Sequence, residues 1–252
     1  MTLEILTSDA LSSVKHGFFT RRGGASSGVF NGLNCGLGSS DQADAVDINR
    51  ARVARAMDAQ PGTMWRVHQI HSANVVIAEG DPPARAEAAD AIVTREPGRV
   101  LSILTADCAP VLFFDPDAGV IGAAHAGWRG ALAGILEATL DAMATLGAQP
   151  TNTIAVIGPT ISQHAYEVGP EFMDDFIAED PDNTRFFANG DGDRYMFDLP
   201  AYELHRLRRA GVAQAEWIRH CTYSDPRRFF SYRRSVHEKQ ADYGRLISTI
   251  TL

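Results

Sequence analysis

The chain has 252 residues, with 31 acidic against 23 basic side chains and a formal net charge of −8. This balance argues against nucleic acid or an anionic membrane as the main partner, and the length suits a single domain over residues 1–252. With no apolar run of about 18 residues, no basic and apolar leader and three cysteines lacking a CxxC pair, we expect a cytoplasmic protein without disulfides.

The N-terminal region combines a predicted strand with a glycine-rich loop. Residues 16–20 read as a strand, and the following loop, 21–28, carries two arginines. Such a loop can offer backbone N–H groups and guanidinium forks to an anion, although an ordinary solvated turn has the same composition. Arg21 and, further along the loop, Asn34 are candidate substrate-binding residues. Residues 41–60 then show the apolar spacing of a helix.

Two histidines lie in a segment that alternates like a pair of strands. Residues 64–79 contain His68 and His71, with a turn predicted at 72–74. On a strand, side chains three positions apart point to opposite faces. At most one of the two histidines is therefore expected in a given site, and either can be structural.

The remaining chain predicts strands and helices joined by short connections. β-rich runs indicate strands, and apolar spacing near 3.6 residues indicates helices. The predicted strands are 89–94, 100–106, 154–161, 215–222 and 244–252; the predicted helices are 129–146, a short one from Pro170, and 199–210; residues 183–193 are predicted as a polar surface loop.

The central feature is a predicted hairpin. Two apolar runs, 110–114 and 120–126, flank a Pro/Asp/Gly cluster that is typical of a turn. A two-residue loop at Pro116 and Asp117 would place Cys108 opposite His125. Directly opposed residues have Cβ atoms about 4.5–5.5 Å apart.

That pairing would let one metal ion bind both side chains, with about 2.3 Å to the thiolate and about 2.0 Å to the imidazole. Two structural interpretations compete with it. A lone cysteine in an apolar strand is often a small buried hydrophobe, and a histidine beside alanine and glycine is often a core residue. A register slip, or a bulge at Pro110, would also separate Cys108 from His125.

Near the C-terminus, residues 229–234 place two arginines after three aromatic side chains. Arginines that extend from a strand end explain the pattern structurally. Aromatic rings beside guanidinium groups also suit a planar base and a phosphate or sugar. Arg233 is therefore a third candidate for substrate binding.

Several catalytic classes lack their motifs. The chain has no GxSxG elbow for a serine hydrolase and no GxGxxG run opening a helix for dinucleotide binding. Its eight histidines form no HxH pair, which argues against multicopper oxidase chemistry. A Cys/His site remains, used either as a nucleophile pair or as a zinc site with an open position.

The motifs HGFFTRRGG, QIH, ADAIVT, TADCAPVLFFDP, AAHAGWRG and FFSYRR run almost from end to end of the chain. In these motifs the sequence resembles the YfiH/YlmD "laccase-domain" family, whose members carry a polyphenol-oxidase name and are related to the human protein FAMIN. One departure is the longer link, 235–243, between SYRR and the terminal Gly-Arg pair.

The resemblance implies an α+β fold of layered mixed β-sheets with outer helices, shared with the catalytic domain of a cytotoxic deamidase toxin. It also implies a zinc-type catalytic site formed by the QxH histidine, the TADC cysteine and the HAGW histidine. Here these residues are His71, Cys108 and His125; copper is a less favoured metal.

The resemblance further implies purine nucleoside chemistry. The reactions are phosphorolysis of adenosine, inosine, guanosine and methylthioadenosine, together with deamination of adenosine. The expected partners are purine nucleosides and phosphate, without nucleic acid or membrane, and a homodimer is left open. Two alternatives remain: a Cys-His hydrolase or amidase with Cys108 as nucleophile, and a metal-binding protein without enzymatic activity.

Overall fold

The computed structural model describes residues 2–252. Within these residues the strands are β1 Ile5–Leu6, β2 Lys15–Phe19, β3 Val75–Ile77, β4 Ala91–Thr94, β5 Leu101–Thr105, β6 Ala109–Asp115, β7 Val120–Ala126, β8 Ile154–Ile157, β9 Glu167–Val168, β10 Phe187–Asn189, β11 Tyr195–Phe197, β12 Gln214–Trp217 and β13 Leu246–Thr251. The α-helices are α1 Ala43–Ala56, α2 Trp128–Leu132, α3 Ile135–Thr145, α4 Pro170–Glu179, α5 Leu199–Arg209 and α6 Tyr232–His237.

A six-stranded mixed sheet forms the centre of the fold, in the order β12-β8-β6-β7-β4-β3. Its two outermost pairs are parallel and the three inner pairs are antiparallel. Every residue of β6 and β7 is buried. Strands covered on both faces read as continuous apolar runs, which is why the two runs of the hairpin are visible in the sequence.

The two faces of this sheet pack against different layers. Val111 and Phe113 point to α3 and α5, whereas Leu112 and Phe114 point to a second sheet. That second sheet has the order β1-β2-β13-β5, and its far face packs against α1. The layers are therefore helix, sheet, sheet and helix, and the alternation follows the two-residue period of a strand.

A smaller aromatic cluster extends the molecule beside the helical layer. The three-stranded sheet β10-β11-β9 packs with α4 and α5 through Phe176, Phe197 and Tyr202, all fully buried. Phe176 and Phe197 have ring centroids 4.7 Å apart. Aromatic contacts at this spacing add to the stabilisation from burial.

This architecture confirms the predicted α+β fold of layered mixed sheets with outer helices. Three local predictions were wrong. The helix predicted over 129–146 is two helices, because Gly134 adopts φ +90° between them. The predicted loop 183–193 contains β10, which pairs with β11. In 64–79 only β3 is a regular strand.

In residues 2–252, no helix combines the length and apolar character needed to cross a membrane. All three cysteines are free thiols: Cys35 is buried, whereas Cys108 and Cys221 are half-buried.

Leu112 tests the contact between the two sheets. It is fully buried there, so Leu112→Ala removes an isopropyl group from the packed core and leaves a cavity. We expect the free energy of unfolding to fall by about 2–5 kcal/mol in urea titrations. The matched variant Leu37→Ala, at a leucine that is 47 % exposed, should change it by less than about 0.5 kcal/mol. Equal losses would contradict the layer assignment.

Candidate metal centre

The hairpin of β6 and β7 has a different register from the predicted one. Asp115 lies opposite Val120, and Pro110 lies opposite His125. The predicted direct pairing of Cys108 with His125 was therefore wrong. The loop is longer because the Asp115 carboxylate accepts N–H bonds from Asp117 and Ala118, at 2.9 and 3.0 Å. Such a side-chain turn stabilises the longer connection.

The shift is by two residues, and an even shift keeps each side chain on its original face. Cys108 precedes β6 and lies diagonally from His125. His71 completes the group: the ligand atoms of the three side chains all lie within 4.8 Å of one another. Cys108 Sγ is 3.8 Å from His71 Nε2, and the two imidazole rings meet edge to face at 4.8 Å between centroids. We call His71, Cys108 and His125 the His-Cys-His cluster.

Gly127 allows the three side chains to converge. A Cβ atom at this position would lie 2.8 Å from Cys108 Sγ and 2.9 Å from His71 Cδ2. Both distances are far below a normal carbon contact. The HAGW motif therefore needs glycine here because the backbone passes directly against the cluster.

Asp90 orients His125 from beneath the cluster. Its carboxylate is fully buried, and its Oδ1 lies 2.8 Å from His125 Nδ1. With Nδ1–H donated to the carboxylate, His125 presents Nε2 as the free ligand atom. A carboxylate behind a histidine is the usual arrangement that fixes tautomer and ring orientation at metal sites.

The same carboxylate shapes the loop that carries His71. It accepts backbone N–H bonds from Ile70, His71 and Ser72 at 3.2, 3.0 and 2.6 Å, and the Ser72 hydroxyl donates at 2.8 Å. His71 adopts φ +59°, a conformation that costs free energy for a residue other than glycine. The bonds to Asp90 hold His71 in that conformation.

Electrostatics favour ionised forms in the cluster. Burial raises the pKa of the Cys108 thiol, but the adjacent His125 outweighs it and lowers the pKa to about 6. Burial lowers the pKa of His125, but Cys108 and Asp90 raise it to about 9. Burial opposes ionisation of Asp90, whereas its bonds from His125 and Ser72 lower its pKa to about 2. A thiolate is therefore available, as metal ligation and nucleophilic attack both require. In the metal-free cluster His125 is protonated at both ring nitrogens, and metal binding would release the proton from Nε2.

The donor set fits a zinc ion. Two imidazole nitrogens and one thiolate leave a fourth position open, the pattern of catalytic rather than structural zinc sites. Two ligands of one zinc ion lie about 3.5 Å apart at ordinary bond lengths, close to the observed 3.8 Å between Cys108 Sγ and His71 Nε2. His125, held by Asp90, has its free nitrogen on the side of the cluster.

The cluster forms part of the wall of a cavity of about 1270 Å³. Besides the cluster, the lining includes His68, two tyrosines, Tyr232 and Tyr243, and several charged side chains. The tyrosine rings lie 5.0 Å apart between centroids. The long link after SYRR thus contributes Tyr243 to the lining, whereas Tyr232 belongs to SYRR and begins α6.

The predicted substrate-binding residues Arg21, Asn34 and Arg233 do not line this cavity. Arg21 lies against the Phe230 ring at 4.2 Å and lines a separate cavity of about 150 Å³. Arg233 donates to the Glu167 carbonyl at 2.6 Å. Their assignment to substrate binding stays a prediction.

Asn34 is fully buried, and both the oxygen and the nitrogen of its side-chain amide are hydrogen-bonded within the protein. Its Nδ2 donates to Ser39 and Asp41, both at 2.9 Å. Its Oδ1 accepts from the backbone of Gly36 at 3.1 Å and of Arg245 at 2.9 Å. Because Gly36 and Arg245 line the large cavity, Asn34 shapes that cavity from behind its wall.

Asp107, the neighbour of Cys108, is bonded to the C-terminal part of the chain. Its carboxylate accepts from the hydroxyls of Thr222 and Ser231 at 2.6 and 2.9 Å, and from the backbone N–H of Arg233 at 2.6 Å. Burial raises its pKa. Asp107 therefore joins the TADC segment to the C-terminal FFSYRR segment and is not directed at the cluster.

Sequence reasoning missed Asp90 and Gln69. Gln69 bonds to the backbone of Leu104 in both directions, at 2.7 and 2.9 Å, and so fixes the QIH segment against β5. One signal was readable: Asp90 directly precedes the apolar run Ala91-Ile92-Val93, and buried aspartates are rarely unpaired. Gln69 gave no such signal, because a glutamine between exposed residues is ordinary.

The fold and the cluster together define a class: layered α+β proteins with a His-Cys-His site at a cavity wall. The family described as "Multi-copper polyphenol oxidoreductase laccase" matches residues 15–252. The chain belongs to this family.

Its relatives are similar over most of their length. A purine nucleoside phosphorylase of Pseudomonas aeruginosa is 39% identical over 219 residues, which is 86% of each chain. The purine nucleoside phosphorylase YfiH of Escherichia coli is 39% identical over 215 residues, covering 85% of this chain and 86% of that one.

Solved structures show the same fold. A YfiH protein of Bacillus licheniformis has a TM-score of 0.91 at 30% identity, covering 98% of this chain and 96% of that one. A protein of Neisseria meningitidis has a TM-score of 0.87 at 34% identity, covering 100% and 99%. These likenesses confirm the predicted YfiH-type family and fold.

Asp90→Asn tests the support beneath the cluster. The amide keeps the shape but loses the charge that orients His125, so we expect the affinity for zinc to fall about 10- to 100-fold. Competition with a chromophoric zinc chelator measures this affinity. The control Asp81→Asn changes a carboxylate that is 92% exposed and should bind zinc like the parent. Parent-like affinity in folded Asp90→Asn would refute the role of Asp90.

Proposed function

We propose that the protein is a zinc-dependent purine nucleoside phosphorylase that also deaminates adenosine. The observation that carries this proposal is the convergence of His71, Cys108 and His125 on the wall of one large cavity. The purine nucleoside phosphorylases to which the chain is similar support the substrate class. The proposed nucleosides are adenosine, inosine, guanosine and methylthioadenosine.

The chain supplies the binding and orientation that this chemistry needs. His71, Cys108 and His125 would hold the metal, and Asp90 keeps His125 Nε2 and the His71 loop in position. When bound, zinc supplies Lewis-acid chemistry, polarising an oxygen atom placed at its open position. The donor set suits zinc; copper stays the less favoured ion.

The cavity has the size and the surfaces for a nucleoside. Its volume of about 1270 Å³ exceeds the range of about 300–1,000 Å³ that is usual for small-molecule sites. Tyr232 and Tyr243 offer aromatic faces on which a planar base can stack. Both residues belong to the C-terminal part of the chain, whereas the cluster comes from its first half.

The two reactions differ in the bond that breaks. In phosphorolysis, a phosphate oxygen bonds to ribose C1′ while the C1′–N9 bond breaks, and the purine leaves with the electron pair and takes up a proton. In deamination, water adds at C6 of adenine and the amino group leaves as ammonia. We assign both reactions to the one cavity that the cluster lines.

The direct test is nucleoside turnover with and without metal. We expect the purified protein to contain zinc and to convert inosine and phosphate to hypoxanthine and ribose 1-phosphate, and adenosine to adenine and inosine. Removal of zinc with a chelator should abolish both reactions, and added zinc should restore them. Liquid chromatography of the products measures each reaction. A protein that yields no adenine, inosine or hypoxanthine from adenosine, and no hypoxanthine from inosine, would refute both activities.

A second candidate, a Cys-His hydrolase or amidase, is favoured by one observation. His125 lowers the pKa of Cys108 to about 6, and a thiolate beside a histidine is the arrangement of a cysteine nucleophile. The half-buried thiol also faces the cavity. Replacing Cys108 by alanine would eliminate activity under either proposal.

Cys108→Asp separates the two candidates. A carboxylate can bind zinc at about 2.0–2.2 Å but replaces a thiolate nucleophile poorly. We therefore expect this variant to keep part of its zinc and a measurable fraction of nucleoside turnover, lost with chelator and recovered with zinc. Cys108→Ala is the matched control and should lose both its zinc and its nucleoside turnover. A parent protein fully active after zinc removal, and inactivated by alkylation of Cys108, would establish the hydrolase instead.

A further inference from the structure

The large cavity reverses the charge balance of the chain. The sequence has 31 acidic and 23 basic residues, yet the charged residues that line the cavity are three arginines and one glutamate: Arg66, Arg85, Arg245 and Glu87. A concave site lined with positive charge concentrates anions. The lining therefore points to a ligand with a negatively charged group.

Arg66 has the properties of an anion-binding side chain. It is half-buried, and among residues 2–252 its guanidinium has neither a carboxylate within 4.0 Å nor a hydrogen-bond partner. Its backbone is held firmly, because the buried Trp65 donates to Val100 at 2.8 Å and accepts from Ser102 at 3.0 Å. The segment from Trp65 to His71 thus carries both an unpaired arginine and a cluster ligand.

Arg245 is fixed in place while keeping free donors. Its backbone N–H donates to Asn34, and its guanidinium lies 4.2 Å from the Tyr243 ring centroid. Only Nη1 is engaged, with the Asp242 carboxylate at 3.3 Å and the Tyr243 carbonyl at 2.8 Å. In the described chain Nε and Nη2 have no partner, and these two donors form one edge of the guanidinium fork.

A fourth arginine, Arg50, lies near Arg66 but does not line the cavity. Arg50 donates to the Cys35 carbonyl at 3.4 Å, and burial together with the nearby Arg66 lowers its pKa. The opposing charges are Asp47 beside Arg50, Asp242 beside Arg245 and Glu87 in the lining. Neither Arg66 nor the free edge of Arg245 is neutralised by a direct bond to any of them.

We propose that Arg66 and Arg245 form a phosphate-binding subsite in the cavity of the His-Cys-His cluster, which rests on the proposed function because phosphorolysis consumes phosphate. Guanidinium forks bind phosphoryl oxygens in pairs. The phosphate group is either inorganic phosphate or the 5′-phosphate of a nucleotide. The volume of about 1270 Å³ admits both.

Direct phosphate binding is the first test. Zinc-loaded parent protein, Arg66→Ala, Arg66→Lys and Arg208→Ala are titrated with inorganic phosphate by calorimetry. We expect the Kd for phosphate to rise about 10- to 100-fold in Arg66→Ala, since a charge-assisted contact is lost. Arg66→Lys keeps the charge but not the guanidinium fork, so its Kd for phosphate should lie between those of the parent and of Arg66→Ala. Arg208→Ala removes an exposed arginine on α5 and should match the parent.

The source of the phosphate group is distinguished by two kinetic measurements on inosine phosphorolysis. If inorganic phosphate occupies the subsite, the KM for phosphate rises in Arg66→Ala while the KM for inosine is unchanged. If a nucleotide occupies it, adenosine 5′-monophosphate competes with inosine in the parent, and its inhibition constant rises in Arg66→Ala. Either result supports the subsite.

Failure of the subsite and of the proposed function are separable. A parent protein that splits no nucleoside, but binds phosphate through Arg66, refutes the function and keeps the subsite. The subsite is overturned if Arg66→Ala and Arg208→Ala agree in Kd, in KM and in nucleotide inhibition. Thermal unfolding shows whether each variant is folded. If Arg66→Ala does not fold, Arg66→Lys and Arg245→Lys replace it, and parent-like phosphate binding by both would overturn the subsite.

Discussion

The buried carboxylate of Asp90 is the interaction on which the site depends. It joins two distant parts of the chain, the loop of His71 and the strand of His125, through backbone and side-chain bonds to one charged group. A buried carboxylate without partners would be costly. The surrounding donors compensate for the burial of Asp90, and Asp90 in turn holds those donors in position. Fold stability and site geometry therefore share the same bonds.

A second carboxylate performs the corresponding task on the other side of Cys108. Asp107 binds Thr222 and Ser231, so the C-terminal segment is tied to the residue preceding the cysteine. Asp90 and Asp107 together enclose the cluster between the first half of the chain and its end. The lining of the cavity includes residues from both parts of the chain, and Tyr232 and Tyr243 come from the C-terminal part.

The layered fold and the grouping of His71, Cys108 and His125 were predicted from the resemblance, whose motifs run almost from end to end of the chain. Alternation, buried runs and glycines mark β6, β7 and the turn at Gly127, and His71 was selected over His68 by resemblance. The register of the hairpin could not be predicted, since the Asp115 side chain lengthens the loop. The hydrogen-bond partners of Asp90, Gln69 and Asn34 could not be predicted either. Such bonds join residues far apart in sequence and leave no local periodicity.

The position of β13 has a consequence for the order of folding. It lies between β2 and β5, pairing Thr251 with Lys15 and Leu246 with Thr105. The second sheet therefore cannot close until β13 has emerged from the ribosome, and pairings this distant in sequence form slowly. Arg245 immediately precedes β13, and Gln69 is bonded to Leu104 of β5. During synthesis, the cavity wall is thus completed last, after the hairpin of β6 and β7 has had time to form.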